Sequence, residues 1–144
     1  MNFTTQIVIN RPRDRVVELM RNPDNIPKWQ PGLQSVELLS GEKDQVGARS
    51  RIVVDARGFR LEMFETIVEH NPPERFASLF ETRGVRNLVE NRFIADGPEA
   101  TRWVMANAFK FTGFMSIAGI FLRDFVPRQS LESMQRFKEF AESS

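Results

Sequence analysis

"NPDNIPKWQPGLQSVELL", residues 22–39, changes character halfway along. Asn22-Pro23 reads as a helix N-cap followed by proline at the first helical position, where the missing N–H costs nothing. Pro27 and Pro31 keep that helix short, because each removes a backbone donor and restricts the residue before it. From Leu33 onward the apolar period is two, which is a strand pattern. Upstream, "FTTQIVIN" (residues 3–10) alternates as a first strand. Pro12 then marks a helix start, with Val16, Leu19 and Met20 at helical spacing. The order is strand, two short helices, strand.

Turn signals follow at residues 41–47, Arg57-Gly58, Asn71-Pro72-Pro73, Arg83-Gly84 and Asp96-Gly97-Pro98. They divide the rest of the middle into six strands of an antiparallel meander. A two-residue loop at Arg57-Gly58 pairs Ala56 with Phe59, Val54 with Leu61, Ile52 with Met63 and Ser50 with Glu65. A second at Arg83-Gly84 pairs Thr82 with Val85, Phe80 with Asn87, Ser78 with Val89 and Phe76 with Asn91. A four-residue loop over 70–73 pairs Ile67 with Phe76 and Glu65 with Ser78. A three-residue or bulged loop after Ala95 brings Asn87 near Asn107 and Asn91 near Trp103. Past Gly113 the chain turns helical to its end. Pro127 is expected to kink that helix, with Phe121, Phe125, Leu131, Met134, Phe137 and Phe140/Ala141 as its buried stripe. The fold class is therefore α+β, one domain over 1–144.

The registers place one set of side chains on the concave face of a curved sheet. It is apolar (Leu61, Met63, Ile67, Phe76, Phe80, Val85, Val89, Phe93, Trp103, Met105, Phe109, Phe111) but interrupted by Ser50, Glu65, Ser78, Asn87, Asn91 and Asn107. A solid core rarely holds so many polar groups, since each needs a partner. A cavity with convergent polar groups holds them more easily. The aromatic supply, 13 Phe and no Tyr, suits either a greasy cavity or a Phe-rich core.

Composition excludes several function classes. With 20 basic and 19 acidic residues the net charge is +1, so no global field attracts nucleic acid or an anionic surface. There is no cysteine, hence no disulfide or thiolate chemistry, which is compatible with a cytoplasmic location. One histidine and no cysteine leave a metal site to carboxylates; no metal and no cofactor is expected. The N-terminus lacks the charged and apolar regions of a secretory signal. The longest apolar run, "FTGFMSIAGIFL" at 111–122, is shorter than the ~20 residues a span needs.

The chain resembles the START-like (SRPBCC) superfamily, in its polyketide cyclase/dehydrase branch. The carriers are residues 9–41, with the helix start at Pro12 and the Trp29-x-Pro31-Gly32 spacing; "VEHNPPERF" at 68–76; "ATRWVMANAFKFTG" at 100–113; and "SLESMQRFKEF" at 130–140. The resemblance implies a helix-grip fold: a seven-stranded curved antiparallel sheet around a long C-terminal helix, two short helices between strands 1 and 2, and an apolar cavity between sheet and helix. Members bind lipids, sterols or polyketides, and some catalyse aromatisation or dehydration. No universal catalytic residue transfers. In this fold the proline-flanked Trp29 is expected to plug one end of the cavity as a packing residue.

Two function readings result. The first is a carrier of a hydrophobic small molecule, lipid or polyketide-like. The second is a cyclase or dehydratase in the same cavity. A protein-interaction module on the same fold is a weaker third. Glu65 is the candidate acid–base residue, since apolar neighbours raise a carboxyl pKa and Ser50 and Ser78 can hydrogen-bond it. Its structural alternative is an ion pair with an arginine such as Arg49 or Arg92, or exposure at a bulge. The expected ligand wall is Met63, Phe80, Asn87, Asn91, Trp103, Met105, Asn107, Phe109, Phe121 and Phe125; waters would satisfy the asparagines equally well. His70 reads as a turn residue, outside any catalytic set. The apolar 111–125 segment can gate the cavity or dip transiently into a membrane, or pack over the sheet mouth or against a second subunit. Val53, Phe64, Val68, Val104, Ala106 and Ala108 on the outer face lend a homodimer some support.

Overall fold

A computed structural model describes residues 1–56 and 58–144. Among them, seven strands form one antiparallel sheet: β1 (Asn2–Ile9), β2 (Leu33–Ser40), β3 (Arg49–Ala56), β4 (Phe59–Asn71), β5 (Arg75–Thr82), β6 (Val85–Ala95) and β7 (Thr101–Phe111). Their spatial order is β1-β7-β6-β5-β4-β3-β2, so six strands run as a meander and β1 closes on β7. Helix α1 (Arg13–Arg21), a 3₁₀ turn (Pro23–Asn25) and α2 (Ile26–Trp29) join β1 to β2; α3 (Met115–Phe121) and α4 (Phe125–Glu142) end the chain. No helix among the described residues is long and apolar enough to cross a membrane.

The proline-rich stretch folds as its chemistry dictates. Asn22 Oδ1 accepts the Asp24 N–H at 3.0 Å, and Pro23 opens the 3₁₀ turn. Pro27 sits in the first turn of α2, where its missing donor is harmless. Trp29 ends this run buried, edge-on to Phe137 at 5.1 Å and Trp103 at 6.4 Å, so it packs in the core.

The registers of two hairpins agree with the sequence pattern residue for residue: Ala56–Phe59 to Ser50–Glu65, and Thr82–Val85 to Phe76–Asn91. The expected Arg57-Gly58 turn falls partly on Arg57, which lies outside the described residues. Two other registers differ by two residues. Glu65 pairs with Phe80 and Ile67 with Ser78, because a bulge at Val68 shortens the β4–β5 connection to Pro72–Glu74. Asn87 pairs with Phe109 and Phe93 with Trp103, because the β6–β7 connection spans five residues, closed by the Asp96 N–H donating to the Ala100 carbonyl at 2.8 Å. A shift of two keeps each side chain on its face, so the concave set survives both corrections.

The C-terminal region departs further. The break lies at Leu122–Asp124, between α3 and α4, and not at Pro127. Pro127 is in the first turn of α4, where backbone donors are unbonded anyway, so it starts this helix and does not kink it. Met134, Phe137 and Ala141 are fully buried, but Phe121 is 81% exposed and Phe125 and Leu131 are 43% and 46% exposed. The expected stripe therefore holds only in the second half of α4.

That half lies against β1. Lys138 Nζ donates to the Val8 carbonyl at 2.7 Å and to Glu142 Oε2 at 2.5 Å, while the Asn10 N–H donates to Glu142 Oε2 at 2.8 Å. Burial alone would raise the Glu142 pKa, but these hydrogen bonds outweigh it and hold the carboxyl below its usual range. Ile9, Val16, Leu19, Trp29, Phe93, Trp103, Met134 and Phe137 form one cluster at this end of the sheet. Away from it the concave face stays open. Val36 and Leu38 share a face with Ile52 and Ser50, and with Leu61 on β4 they are 41–52% exposed.

The outer face is held by ion pairs: Arg51 with Glu37 and Glu62, Arg75 with Glu69 and Glu90, and Arg86 with Glu81. Among the apolar positions expected there, Val53 is buried, Phe64 lies under the Arg49 guanidinium at 5.0 Å, and Val68 is exposed.

Candidate functional site

A cleft of about 240 Å³ opens on the concave face, between α1 and strands β4–β6. Its apolar walls are Val17 and Met20 of α1, Ile67 of β4, Phe76 and Phe80 of β5, and Phe93 of β6. Glu65, His70, Ser78 and Asn91 project among them, and Arg21 and Asp44 stand at the mouth, 3.8 Å apart. No residue of α4 lines it, because α4 lies over β1 and leaves the middle strands to α1. At this volume it sits just below the ~300–1,000 Å³ of typical small-molecule pockets, but it adjoins the open apolar surface around Leu38 and Leu61. A larger groove of about 590 Å³ lies over β1, β7 and β6, along Thr4, Leu88, Ala106 and Ala108. It is a shallow surface trough without enclosing walls.

Each polar group in the cleft has a distinct state. Burial pushes the Glu65 carboxyl up from its ordinary 4.5; the Asp44 charge adds to this, and a hydrogen bond from Ser78 opposes it. None of the ion pairs among the described residues includes Glu65. Arg49, a candidate partner by sequence, lies instead on the Phe64 ring. Asn91 Oδ1 accepts the Trp103 Nε1–H at 2.9 Å. An indole nitrogen only donates, so this bond fixes the orientation of the amide and leaves the Asn91 NH₂ for the cleft.

His70 is the residue the sequence misplaced. It is not in a turn: it belongs to β4, opposite Phe76, with its ring edge-on to that of Phe76 at 5.2 Å. The bulge at Val68 rotates it onto the concave face. The consecutive apolar pair Ile67-Val68, which breaks the alternation, is the signal that marks such a bulge. The wall from α1 was likewise unread, because Val17 and Met20 fit a core helix equally well.

The other expected wall residues are dispersed. Phe80 and Asn91 line the cleft; Met63 faces the open part of the concave surface. Trp103 is 1% exposed in the core, with Met105 packed against it. Asn87 Nδ2 donates to Asn107 Oδ1 at 3.0 Å farther along the sheet. Phe109 stacks between Phe3 and Phe111, with centroids at 6.0 and 5.7 Å. Phe121 and Phe125 point to solvent around the α3–α4 break.

The raised Glu65 has a measurable consequence. A carboxyl whose folded-state pKa exceeds its unfolded value favours folding below the unfolded value, and that contribution is lost as pH rises through the folded value. Glu65→Gln is therefore expected to gain stability relative to the parent chain between pH 4 and pH 8. Urea midpoints at the two pH values read this; a difference independent of pH would show that the carboxyl is not buried.

The arrangement offers an apolar slot with a carboxyl whose pKa burial raises, an imidazole and an amide donor. A family model described as polyketide cyclase / dehydrase and lipid transport matches residues 1–142. Solved structures similar to this chain include an aromatase/cyclase (Zhui) from Streptomyces, 20% identical, covering 99% of this chain and 93% of that one with a TM-score of 0.79. A START superfamily protein from Mycobacterium smegmatis is 9% identical, with coverages of 99% and 97% and a TM-score of 0.80. A protein from Thermus thermophilus is 22% identical, with coverages of 99% and 98% and a TM-score of 0.75. No curated protein matches by sequence. At these identities the structural likeness speaks for the fold alone.

Proposed function

Because this chain belongs to the polyketide cyclase / dehydrase and lipid transport family, we propose that it binds a hydrophobic small molecule, lipid or polyketide-like, in the concave cleft under α1. The observation that carries this reading is the cleft itself: apolar walls from α1 and three strands, continuous with the exposed concave side chains Leu38 and Leu61. Such surface left open to water favours an apolar occupant by about 25 cal/mol per Å² covered. In this reading the chain works in the cytoplasm, and the outward Phe114, Ile117, Ile120 and Phe121 touch a bilayer transiently while ligand is exchanged.

Native mass spectrometry of protein purified from its host tests the carrier reading. The expected result is one co-purifying hydrophobic molecule per chain, with saturable rebinding after its removal. Protein that arrives empty and rebinds no apolar probe overturns it.

A second reading, a cyclase or dehydratase, rests on Glu65, which lies in the cleft with no ion-pair partner among the described residues and with its pKa raised. A protonated carboxyl there donates to a ligand carbonyl, and its ionised form takes a proton from carbon or oxygen. On a cyclisable poly-β-ketone, Glu65→Gln should abolish turnover and spare binding. Turnover that survives this change excludes Glu65 as the acid–base group.

A further inference from the structure

The concave face carries a second polar feature beyond the cleft. Asn87 of β6 pairs with Phe80 of β5, which is a wall of the cleft, so Asn87 stands one strand over from that wall. Across β6 and β7 its amide meets that of Asn107, with Asn87 Nδ2 donating to Asn107 Oδ1 at 3.0 Å. That single bond leaves both amides incomplete. Asn87 Oδ1 and Asn107 Nδ2 are buried with no hydrogen-bond partner among the described residues, and so is Thr5 Oγ1. Asn107 and Thr5 are 6% and 8% exposed. Thr5 faces Met105 on β7 and Asn87 faces Phe109, so Asn107 stands between them on one face, a diagonal step from each.

The chemistry of this trio is selective. An amide has one acceptor oxygen and one donor nitrogen. When two amides bond once to each other, one donor and one acceptor remain. Turning both amides over exchanges their owners but leaves the same complement, so the conclusion does not depend on how the amides are oriented. A carboxylate only accepts and would face the remaining amide oxygen. An ammonium only donates and would leave the remaining NH₂ unmet. A hydroxyl does both through one atom. An unmet buried polar group bears the full cost of leaving water, so a group meeting both is strongly preferred over one meeting neither.

We propose that Asn87 and Asn107, with Thr5 beside Asn107, form a hydroxyl-binding subsite one strand beyond the cleft wall, and that the ligand of the concave face is an apolar molecule bearing an alcohol, phenol or enol. This rests on the reading of the concave cavity as a hydrophobic-ligand site and names the polar group of that ligand. Glu65 lies on β4 opposite Phe80, so Phe80 stands between the acid and the subsite, and a molecule spanning both is held at two points.

The test uses the full chain, ¹⁵N-labelled, titrated at pH 7 with naphthalene, 2-naphthol, 2-naphthoate and 2-naphthylmethylamine. The apolar skeleton is constant and only the polar group changes. We expect 2-naphthol to bind about tenfold more tightly than naphthalene, the gain expected when one hydrogen bond completes an unmet pair. Naphthoate and the amine should show no such gain. The Asn87 and Asn107 side-chain amide resonances should move with naphthol and stay with naphthalene. In Asn87→Leu/Asn107→Leu the preference for naphthol over naphthalene should disappear. Equal binding of naphthol and naphthalene, with the amide resonances unmoved, overturns the subsite and leaves the carrier reading standing; the trio would then be a water site. Tighter binding of naphthoate or the amine also overturns it. Failure of all four to bind overturns both. Should the double variant not fold, the amide resonances of the parent chain still decide.

Discussion

Trp103→Ala is expected to lower the free energy of unfolding by about 3–5 kcal/mol, the range seen when a large aromatic is removed from a core. Trp103 is 1% exposed. It stacks on Phe93 at 5.9 Å, meets Phe137 edge-on at 5.5 Å and Trp29 at 6.4 Å, and donates its indole N–H to Asn91. Truncation removes the shared partner of three rings. It also strips Asn91 Oδ1 of its donor, and freed of that bond the Asn91 amide can turn in the cleft. A domain of this size is stable by roughly 5–15 kcal/mol, so the loss is a large part of the whole. Urea unfolding followed by far-ultraviolet circular dichroism reads the midpoint. A drop below about 1 kcal/mol would mean that the core does not close around this ring.

Phe137→Ala is expected to cost a similar ~3–5 kcal/mol, whereas Phe121→Ala should change stability by no more than about 0.5 kcal/mol. The two residues belong to one apolar stripe in the sequence, but Phe137 is fully buried between Trp29 and Trp103 and Phe121 is 81% exposed. The same unfolding assay compares them. Because Trp103 and Phe137 are in contact, the double variant should lose less than the sum of the singles, by about 0.5–3 kcal/mol. Equal losses at Phe121 and Phe137 would place α3 in the core after all.

Much of the fold was legible because strand pattern and turn chemistry are local. Gly84 has φ +75°, so the Arg83-Gly84 turn and the pairs from Thr82–Val85 to Phe76–Asn91 could be counted outward from one residue. Asn22-Pro23 marked a helix start for the same reason: the cap and the proline act within three residues. The four-residue loop at 70–73 failed because a bulge changes the count without changing the turn residues. The shift of two concealed the error, since it left Ile67 and Ser78 on their face while His70 moved onto it. Glu65 was found because its pairing with Ser50 fixed its face. His70 was missed because its position depends on Val68, whose backbone departs from the ladder without any marker beyond one broken alternation.

The sequence by itself determined the strand order of the meander, the concave and outer faces, the two short helices and the resemblance to the START-like fold. Each follows from periodicity or from turn and cap chemistry within a few residues. Only the tertiary structure decided which part of the concave face is covered. That depends on where α4 docks, and its docking is set by contacts far apart in the chain: Phe137 on Trp29 and Trp103, Lys138 on the Val8 carbonyl, and Arg136 on the Trp29 carbonyl at 3.1 Å. An apolar side chain in a helix has the same pattern whether it is buried, exposed or facing a ligand. What separates Phe137 from Phe121 is the break at Leu122–Asp124 and the partner each half of the helix finds.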